Sequence, residues 1–286
     1  MGNKSIYKSV AREKAVATKY GELLRHWPIE KEERELQTRH GRTHVIVCGN
    51  PENPPLVLLH GAYGNAVYWI KQVQTYVQSH QVFIVDIIGE AGHSEPVRPS
   101  HKGPAYREWM EDIYQGLGLE RAALVGVSLG AWICLTFACA WPERVDRLAL
   151  ISPQGIVRAR RSRSAVVSFV SLLIGPLGRR LIFRSQLNKS DMDPKLKELI
   201  RLIQRGLKPR SGALPRFTEK ELAQLYCPIL LLLGGNDAYF NIERLILRMA
   251  KATPQLEINY RHKEGHFLSD FTREVDRFLV THYAPD

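Results

Sequence analysis

The chain has 286 residues, of which 44% are hydrophobic and 24% are charged, a composition that fits a folded globular protein and excludes a disordered one. Its 40 Lys and Arg outnumber its 29 Asp and Glu, for a formal net charge of +11. The four cysteines have no metal-ligand spacing, so we expect reduced core thiols, no disulfide framework and no metal site.

The first predicted element is an amphipathic helix at the N-terminus. Apolar residues recur at helical spacing from Ile6 to Trp27, and Pro28 ends the pattern. Because this segment lacks the apolar core of a secretory signal, we expect an extension over residues 1–30 of a cytoplasmic protein. The longest apolar stretch, Ala165 to Ile174, is much shorter than the ~20 residues that a membrane span requires.

Strands and helices alternate along the next part of the chain. A hairpin is predicted from Glu35 to Cys48, with Gly41 in its turn. Further strands are predicted at Pro55–Leu59, Val82–Val85, Ala123–Val125, Val145–Ile151, Ile229–Leu233 and Leu256–Tyr260, and helices at Tyr106–Leu117 and Leu129–Ala140. Such alternation is typical of an α/β fold, in which a mostly parallel sheet is covered by helices on both faces.

The alternation stops in residues 154–221, where we expect a helical cap inserted between the two parts of a core, residues 31–153 and 222–286. Between Arg158 and Arg210 lie fourteen basic and three acidic residues, which account for the whole excess charge. This charge fits either a solvated basic face or contact with an anionic ligand or an anionic membrane. Nucleic acid is not expected as a partner, because the basic run lacks interleaved aromatic residues.

One short motif, Gly126-Val127-Ser128-Leu129-Gly130, lies between a predicted strand and a predicted helix. This context predicts a nucleophile elbow, a sharp turn that exposes the Ser128 hydroxyl. A serine needs a base and an orienting carboxylate, and His266 and Asp237 both follow predicted strands whose ends meet at the same edge of the sheet. Alternatively, Asp237 caps the helix near Ile242.

The loop after Pro55–Leu59 is predicted to complete the site. Its sequence, His60-Gly61-Ala62-Tyr63-Gly64, allows a turn that directs the Ala62 amide toward an oxyanion, together with the Leu129 amide. His60 is expected to support this loop rather than act as a base. Apolar cap residues are expected to cover the elbow, and the predicted substrate pocket consists of Tyr63, Phe169, Leu173 and Phe267.

These motifs resemble those of the α/β-hydrolase superfamily, most closely its bacterial esterase-like members. The similarity covers about Val45 to Val280 and rests on H-G-A-Y, D-I-I-G-E-A-G-H-S, G-V-S-L-G, G-G-N-D and G-H-F. It implies an eight-stranded, mostly parallel sheet with a cap after the sixth strand, with Ser128 as nucleophile, His266 as base and Asp237 as acid. Two features depart from the common pattern: the loop from Asp86 to Ser94 is one residue longer, and Ala131 replaces a frequent glycine.

The expected function is hydrolysis of a small carboxylic ester or thioester with an apolar acyl group, through an acyl-enzyme and without a cofactor. The superfamily uses the same triad for C–C hydrolysis, lyase, peroxidase-type and acyl-transfer reactions, and the fold does not choose among them. A non-catalytic binding protein is a third possibility, but such proteins often lack a triad member and none is missing here. The physiological substrate and the oligomeric state stay open.

Overall fold

A computed structural model describes residues 5–158, 176–210, 212–253 and 255–281 of the chain. Its strands are β1 (Glu32–Thr38), β2 (Gly41–Cys48), β3 (Pro55–Leu59), β4 (Gln81–Val85), β5 (Ala122–Val127), β6 (Val145–Ile151), β7 (Ile229–Gly234) and β8 (Leu256–Arg261). They form one sheet in the order β1-β2-β4-β3-β5-β6-β7-β8. Strand β2 is antiparallel to both of its neighbours, and all other pairs are parallel. The predicted eight-stranded, mostly parallel sheet is therefore confirmed.

Helices cover both faces of this sheet. Among the described residues they are α1 (Val10–Leu24), α2 (Val73–Tyr76), α3 (Ala105–Leu117), α4 (Leu129–Ala138), α5 (Pro176–Lys189), α6 (Pro194–Gly206), α7 (Glu219–Leu222), α8 (Ile242–Ala252) and α9 (Thr272–Val280). Helices α3, α4, α7 and α8 contribute to one apolar cluster, and α1, α2, α6 and α9 contribute to another. Within these described helices, none combines the length and the apolar character needed to cross a bilayer.

The central strands are continuous apolar runs because both of their faces are buried. In β3, Val57 and Leu59 face one apolar cluster, whereas Leu56 and Leu58 face the other, as the two-residue period of a strand requires. Strand β8 is at the edge of the sheet and alternates between half-buried and exposed residues. The sheet thus holds the carboxyl ends of β3, β5, β6, β7 and β8 along one edge.

The N-terminal helix is shorter than predicted, since it begins at Val10 rather than Ile6. Ser9 caps it by accepting a hydrogen bond from the Arg12 amide. The preceding residues pair with another segment instead, because Tyr7 forms a β-bridge with Leu207 just after α6. Farther along α1, the Tyr20 hydroxyl donates to the buried Asp86 carboxylate at 2.9 Å. The helix is thereby tied to the central sheet and to α6.

The segment between β6 and β7 contains α5, α6 and α7 in its described part. Phe169 and Leu173, two of the predicted pocket residues, lie outside the described residues. The division into an N-terminal extension, a two-part core and a cap stays a prediction.

Candidate active site

Ser128 occupies the turn between β5 and α4. Its φ of 53° and ψ of −103° are sterically unfavourable for a residue with a Cβ, and such strain is typical of a nucleophile elbow. Two backbone hydrogen bonds hold the turn: the Ser128 amide donates to the Ile151 carbonyl at 2.8 Å, and the Trp132 amide donates to the Ser128 carbonyl at 3.1 Å. The serine is therefore held in place by β6 on one side and by the first turn of α4 on the other.

The two glycines of the motif allow close backbone contacts that a side chain would block. A Cβ atom on Gly126 would lie 2.6 Å from the Ala131 nitrogen. A Cβ atom on Gly130 would lie 2.3 Å from the Leu59 carbonyl oxygen. Glycine at these positions lets the start of α4 pack directly on β5 and β3.

Ser128, His266 and Asp237 form a continuous chain of hydrogen bonds. The Nε2 atom of His266 is 3.0 Å from Ser128 Oγ, and its Nδ1 atom is 2.7 Å from Asp237 Oδ2. All three side chains are buried. Because the Asp237 carboxylate only accepts hydrogen bonds, Nδ1 carries a proton, which leaves Nε2 of a neutral ring to accept the Ser128 hydroxyl proton.

The loop after β7 fixes the Asp237 carboxylate. Its second oxygen, Oδ1, accepts hydrogen bonds from the amides of Tyr239 at 2.6 Å and Phe240 at 3.3 Å. The alternative that Asp237 caps the helix at Ile242 is wrong, because Asn241 is the residue whose side chain caps α8. Asp237 is therefore held by its own loop in contact with His266.

The loop after β3 lies directly against the serine. A Cβ atom on Gly61 would be 3.6 Å from the Ser128 Cβ atom. Within the described part of the chain, neither the Ala62 amide nor the Leu129 amide donates a hydrogen bond to the protein. Leu129 is the first residue of α4, where the helix offers its amide no internal partner. Both predicted oxyanion donors are thus available to a ligand.

His60 supports this loop from inside the protein. The Nδ1 atom is 2.8 Å from the Gly61 carbonyl oxygen, and Nε2 accepts a hydrogen bond from the Ile87 amide at 3.0 Å. Burial lowers the pKa of His60, more than the nearby Asp86 raises it. A neutral ring with Nδ1 as donor satisfies both contacts, in agreement with the expected supporting role.

A buried ion pair holds the same loop from the other side. The Tyr63 amide donates to Glu90 at 2.9 Å, and Tyr63 has a positive φ of 61°. Arg210 donates to the same carboxylate at 2.8 Å and to the Tyr106 hydroxyl at 2.8 Å. Burial alone would raise the pKa of Glu90, but Arg210 and Arg98 lower it below its usual value. The positive charge of Arg210, one of the fourteen basic residues between Arg158 and Arg210, is therefore neutralised by an internal ion pair.

Two glutamines that were not predicted from the sequence contact Ser128 and His266. The Gln154 amide nitrogen donates to Ser128 Oγ at 2.8 Å, and the His266 backbone amide donates to Gln186 Oε1 at 2.9 Å. Gln154 follows β6, so its position near the carboxyl edge of the sheet, close to Ser128, could have been predicted from the sequence. Gln186 belongs to α5, and nothing in its local sequence indicates how that helix packs on the His266 loop.

Aromatic side chains line the space beside the triad. Phe183 of α5 lies between the predicted pocket residues Tyr63 and Phe267, with ring centroids 5.1 Å from each. The Tyr239 ring packs edge-on against His266 at 4.8 Å. The structure therefore brings Tyr63 and Phe267 together through a residue of α5.

A second group of titratable residues lies away from the triad. The carboxylate of Glu33 and the imidazole nitrogens of His44 and His93, atoms of the kind that ligate metal ions, are within 4.8 Å of one another. Their spacing in the sequence does not reveal this grouping. Ion pairs engage His44 on both sides, with Nδ1 3.0 Å from Asp86 and Nε2 2.9 Å from Glu33. Burial lowers the pKa of His44, but the two carboxylates more than offset it. We interpret the contacts as a carboxylate–imidazolium–carboxylate chain.

Comparison with known proteins agrees with this geometry. A family model described as the alpha/beta hydrolase fold matches residues 54–170. Carboxylesterase YbfK of Bacillus subtilis is 31% identical over 258 residues, which are 87% of this chain and 86% of YbfK. The chain belongs to the α/β-hydrolase family. The resemblance that the motifs indicated is confirmed.

Solved structures place this α/β-hydrolase near two esterases. The crystal structure of carboxylesterase CesB (YbfK) from Bacillus subtilis matches it with a TM-score of 0.80 and 28% identity, covering 96% of this chain and 99% of that one. Naproxen esterase from Bacillus subtilis matches with a TM-score of 0.78 and 25% identity, covering 96% and 99%. The protein is a carboxylesterase-like member of the family.

Proposed function

We propose that this α/β-hydrolase cleaves a carboxylic ester or thioester with an apolar acyl group, through an acyl-enzyme on Ser128. The observation that carries the proposal is the chain of hydrogen bonds from Asp237 through His266 to Ser128, which lies on a strained turn beside two available amides. The carboxylesterase names of the relatives support ester chemistry over the other reactions of the superfamily.

The proposed reaction has two steps. His266 Nε2 takes the hydroxyl proton while Ser128 Oγ bonds to the carbonyl carbon, and the Ala62 and Leu129 amides bind the oxyanion. His266 then gives the proton to the leaving alcohol or thiol, which departs as the acyl-enzyme forms. A water molecule activated by His266 releases the acid, and Asp237 keeps the proton on Nδ1 throughout.

The aromatic residues beside the triad support the apolar acyl group. Tyr63, Phe183 and Phe267 present ring surfaces that bury hydrocarbon and exclude water. Since Phe183 lies on α5, we propose that the segment between β6 and β7 acts as a cap that forms one wall of the acyl pocket.

The first test removes the nucleophile. Wild type is expected to react with a fluorophosphonate probe and to hydrolyse esters from a panel of short to long acyl chains. Ser128→Ala is expected to lose labelling and at least about 10³-fold in kcat/KM, because no other group attacks the carbonyl. Folded wild-type protein that the probe does not label contradicts the triad. Labelled protein that cleaves no ester or thioester points to another reaction of the same triad.

The second test concerns the acid. Asp237→Asn is expected to lower kcat by about 10⁴-fold, because the amide does not hold the required tautomer of His266. Its remaining oxygen still accepts from the Tyr239 and Phe240 amides, so the thermal unfolding midpoint is expected to change little. A stable variant with turnover within tenfold of wild type would assign the acid to another residue.

A further inference from the structure

The segment that precedes α1 pairs with the end of α6. Besides the bridge between Tyr7 and Leu207, the Lys8 amide donates to the Gly206 carbonyl at 2.9 Å and the Lys208 amide donates to the Ile6 carbonyl at 2.8 Å. We call residues 5–9 the N-terminal arm. Through these contacts the arm adds its own charges to those at the C-terminal end of α6.

Five basic residues collect where the arm, α5 and α6 meet. This joint cluster consists of Lys8, Arg12, Arg180, Arg205 and Lys208. Lys8 Nζ and Arg12 Nη1 both donate to the Arg205 carbonyl oxygen, at 3.0 and 2.8 Å, so these two charges are no more than about 6 Å apart. Burial and the nearby charges of Arg180 and Arg12 lower the pKa of Lys8.

The charge of the joint cluster is not neutralised by carboxylates. Among the residues that the structure describes, none of its members forms an ion pair, and the side chains of Lys8, Arg12 and Lys208 donate to backbone carbonyls. Some cations elsewhere are paired, as in Arg39 with Asp112 at 2.7 Å. Exposed like charges that lack internal counterions create a potential that attracts anions.

Apolar side chains are exposed beside these cations. Val10, between Lys8 and Arg12 in the chain, is 68% exposed, and Leu181, next to Arg180, is 50% exposed. A soluble polyanion would contact the cations alone. A bilayer with anionic lipids contacts both, because headgroup phosphates meet the charges while apolar side chains enter the boundary with the acyl chains.

We infer that the joint cluster, together with Val10 and Leu181, is a docking surface for a bilayer that contains anionic lipids. Helix α5 links this surface to the candidate active site, since Phe183 and Gln186 contact the Tyr63 and His266 loops. Docking would place the helix that covers the site next to the membrane. The inference is independent of the proposed hydrolysis, because binding needs no reaction at Ser128.

Co-sedimentation with vesicles tests the inference. Wild type and Ser128→Ala are both expected to bind vesicles of phosphatidylcholine with about 30% phosphatidylglycerol, and neither binds phosphatidylcholine alone. Binding is expected to fall strongly in about 0.5 M NaCl, where charges are screened over a few ångströms. Failure to bind at low salt, or equal binding to neutral vesicles, would overturn the docking surface and leave the hydrolase proposal untouched.

Matched variants locate the surface. Lys8→Gln, Arg12→Gln and Arg205→Gln combined should weaken the vesicle partition coefficient about a hundredfold, since each cation near an anionic surface contributes about fivefold. The control combines Arg107→Gln, Lys220→Gln and Arg244→Gln, three exposed residues on helices of the opposite sheet face. It should retain at least about a third of the wild-type coefficient, and comparable losses in both triple variants would overturn the inference.

A second pair of changes separates a bilayer from a soluble polyanion. Val10→Ser with Leu181→Ser keeps every charge and should lower vesicle binding about tenfold, because two exposed apolar side chains no longer enter the lipid boundary. Binding of soluble inorganic polyphosphate should not change. Vesicle binding that is unaffected by these substitutions would identify a general polyanion site and overturn the bilayer. Far-ultraviolet circular dichroism of each variant checks that it is folded.

Discussion

Ser128 Oγ lies between two nitrogen atoms, one from His266 at 3.0 Å and one from Gln154 at 2.8 Å. A neutral His266 accepts the hydroxyl proton, so the Gln154 amide is the donor to the oxygen. A donor in this position stabilises the negative charge that grows on Oγ as the proton leaves. We therefore propose that Gln154 positions the serine and assists its ionisation.

The role of Gln154 predicts a graded response to substitution. Gln154→Ala should lower kcat about tenfold and change KM less, in line with the loss of one neutral hydrogen bond. Gln154→Glu should lower kcat more and move the acid limb of the pH–rate profile to higher pH, because added negative charge favours the protonated base. Equal kinetics for both variants and wild type would remove Gln154 from the reaction.

The sequence allowed a site residue to be predicted where that residue directly follows a predicted strand. Ser128, Asp237 and His266 each follow a strand end, and the structure joins their side chains by hydrogen bonds; their catalytic roles remain predictions. Gln154 also follows a strand end, but its side chain carries no carboxylate and so does not match the orienting acid of a triad. Gln186 was not predictable, because its contact with His266 depends on how a whole helix packs.

The elements show how close packing constrains the site. Helix α4 starts against the end of β3, and the absence of a side chain on Gly130 permits that contact. Leu129 begins α4 next to Ser128, and Ala62 follows Gly61, which lies against the serine. The close contacts at Gly130 fix the start of α4 relative to the loop after β3.

Gly130→Ala should therefore destabilise the protein by about 2–3 kcal/mol, since the new Cβ meets backbone carbonyls that have no freedom to move away. Gly21→Ala in α1 is the matched control, because no atom outside its chain neighbours and the adjacent backbone of its own helix lies within 4 Å of the added Cβ. It should stabilise the protein by about 0.5–1 kcal/mol. Urea unfolding followed by circular dichroism measures both; equal stability of Gly130→Ala and wild type would refute this packing argument.

The bounds of buried strands were predicted to within two residues. Strand β6 has the predicted bounds, Val145–Ile151, whereas the fully buried β5, Ala122–Val127, is longer than the predicted Ala123–Val125. The start of α1 was predicted too early, since Ile6 and Tyr7 continue the apolar period but pair with the chain after α6. The period of apolar residues in a sequence indicates which side chains are buried. It does not indicate whether the residue belongs to the helix or to a segment that pairs with another part of the chain.

The whole molecule depends on buried ionisable groups away from the site. Burial alone would raise the pKa of Asp86, but the hydrogen bond and charge of His44, with the hydrogen bond from the His93 amide, lower it to about 2. Burial, with a smaller contribution from Arg147, lowers the pKa of His80 to about 4. Both groups bind protons more readily in the unfolded chain, so both weaken the fold as the pH falls.

These shifts predict how stability depends on pH. His80 contributes stability above about pH 6.5 that is lost down to about pH 4, and Asp86 contributes stability above about pH 4 that is lost down to about pH 2. The free energy of unfolding should thus fall between pH 6.5 and 4, by about 1.4 kcal/mol per pH unit for each proton. His80→Gln should reduce this slope. An unchanged slope would show that His80 does not control it.

The overall architecture was predictable because alternation, apolar runs and motif order all favoured the same α/β sheet. The joining of the N-terminal arm to α6 was not, because β-bridges between distant segments leave no local pattern. The charge excess was located correctly by counting, but counting did not separate Arg210, which is paired inside, from the exposed joint cluster.

Lys8 and Arg205, which meet at one carbonyl, are 197 residues apart in the chain. At a synthesis rate of 5–20 residues per second, the arm leaves the ribosome roughly 10–40 s before α6 exists to receive it. During that interval the arm has no place to dock, whatever the state of the sheet behind it. Residues 5–9 can therefore reach their final position only after the chain has been synthesised as far as Lys208, roughly 200 residues later.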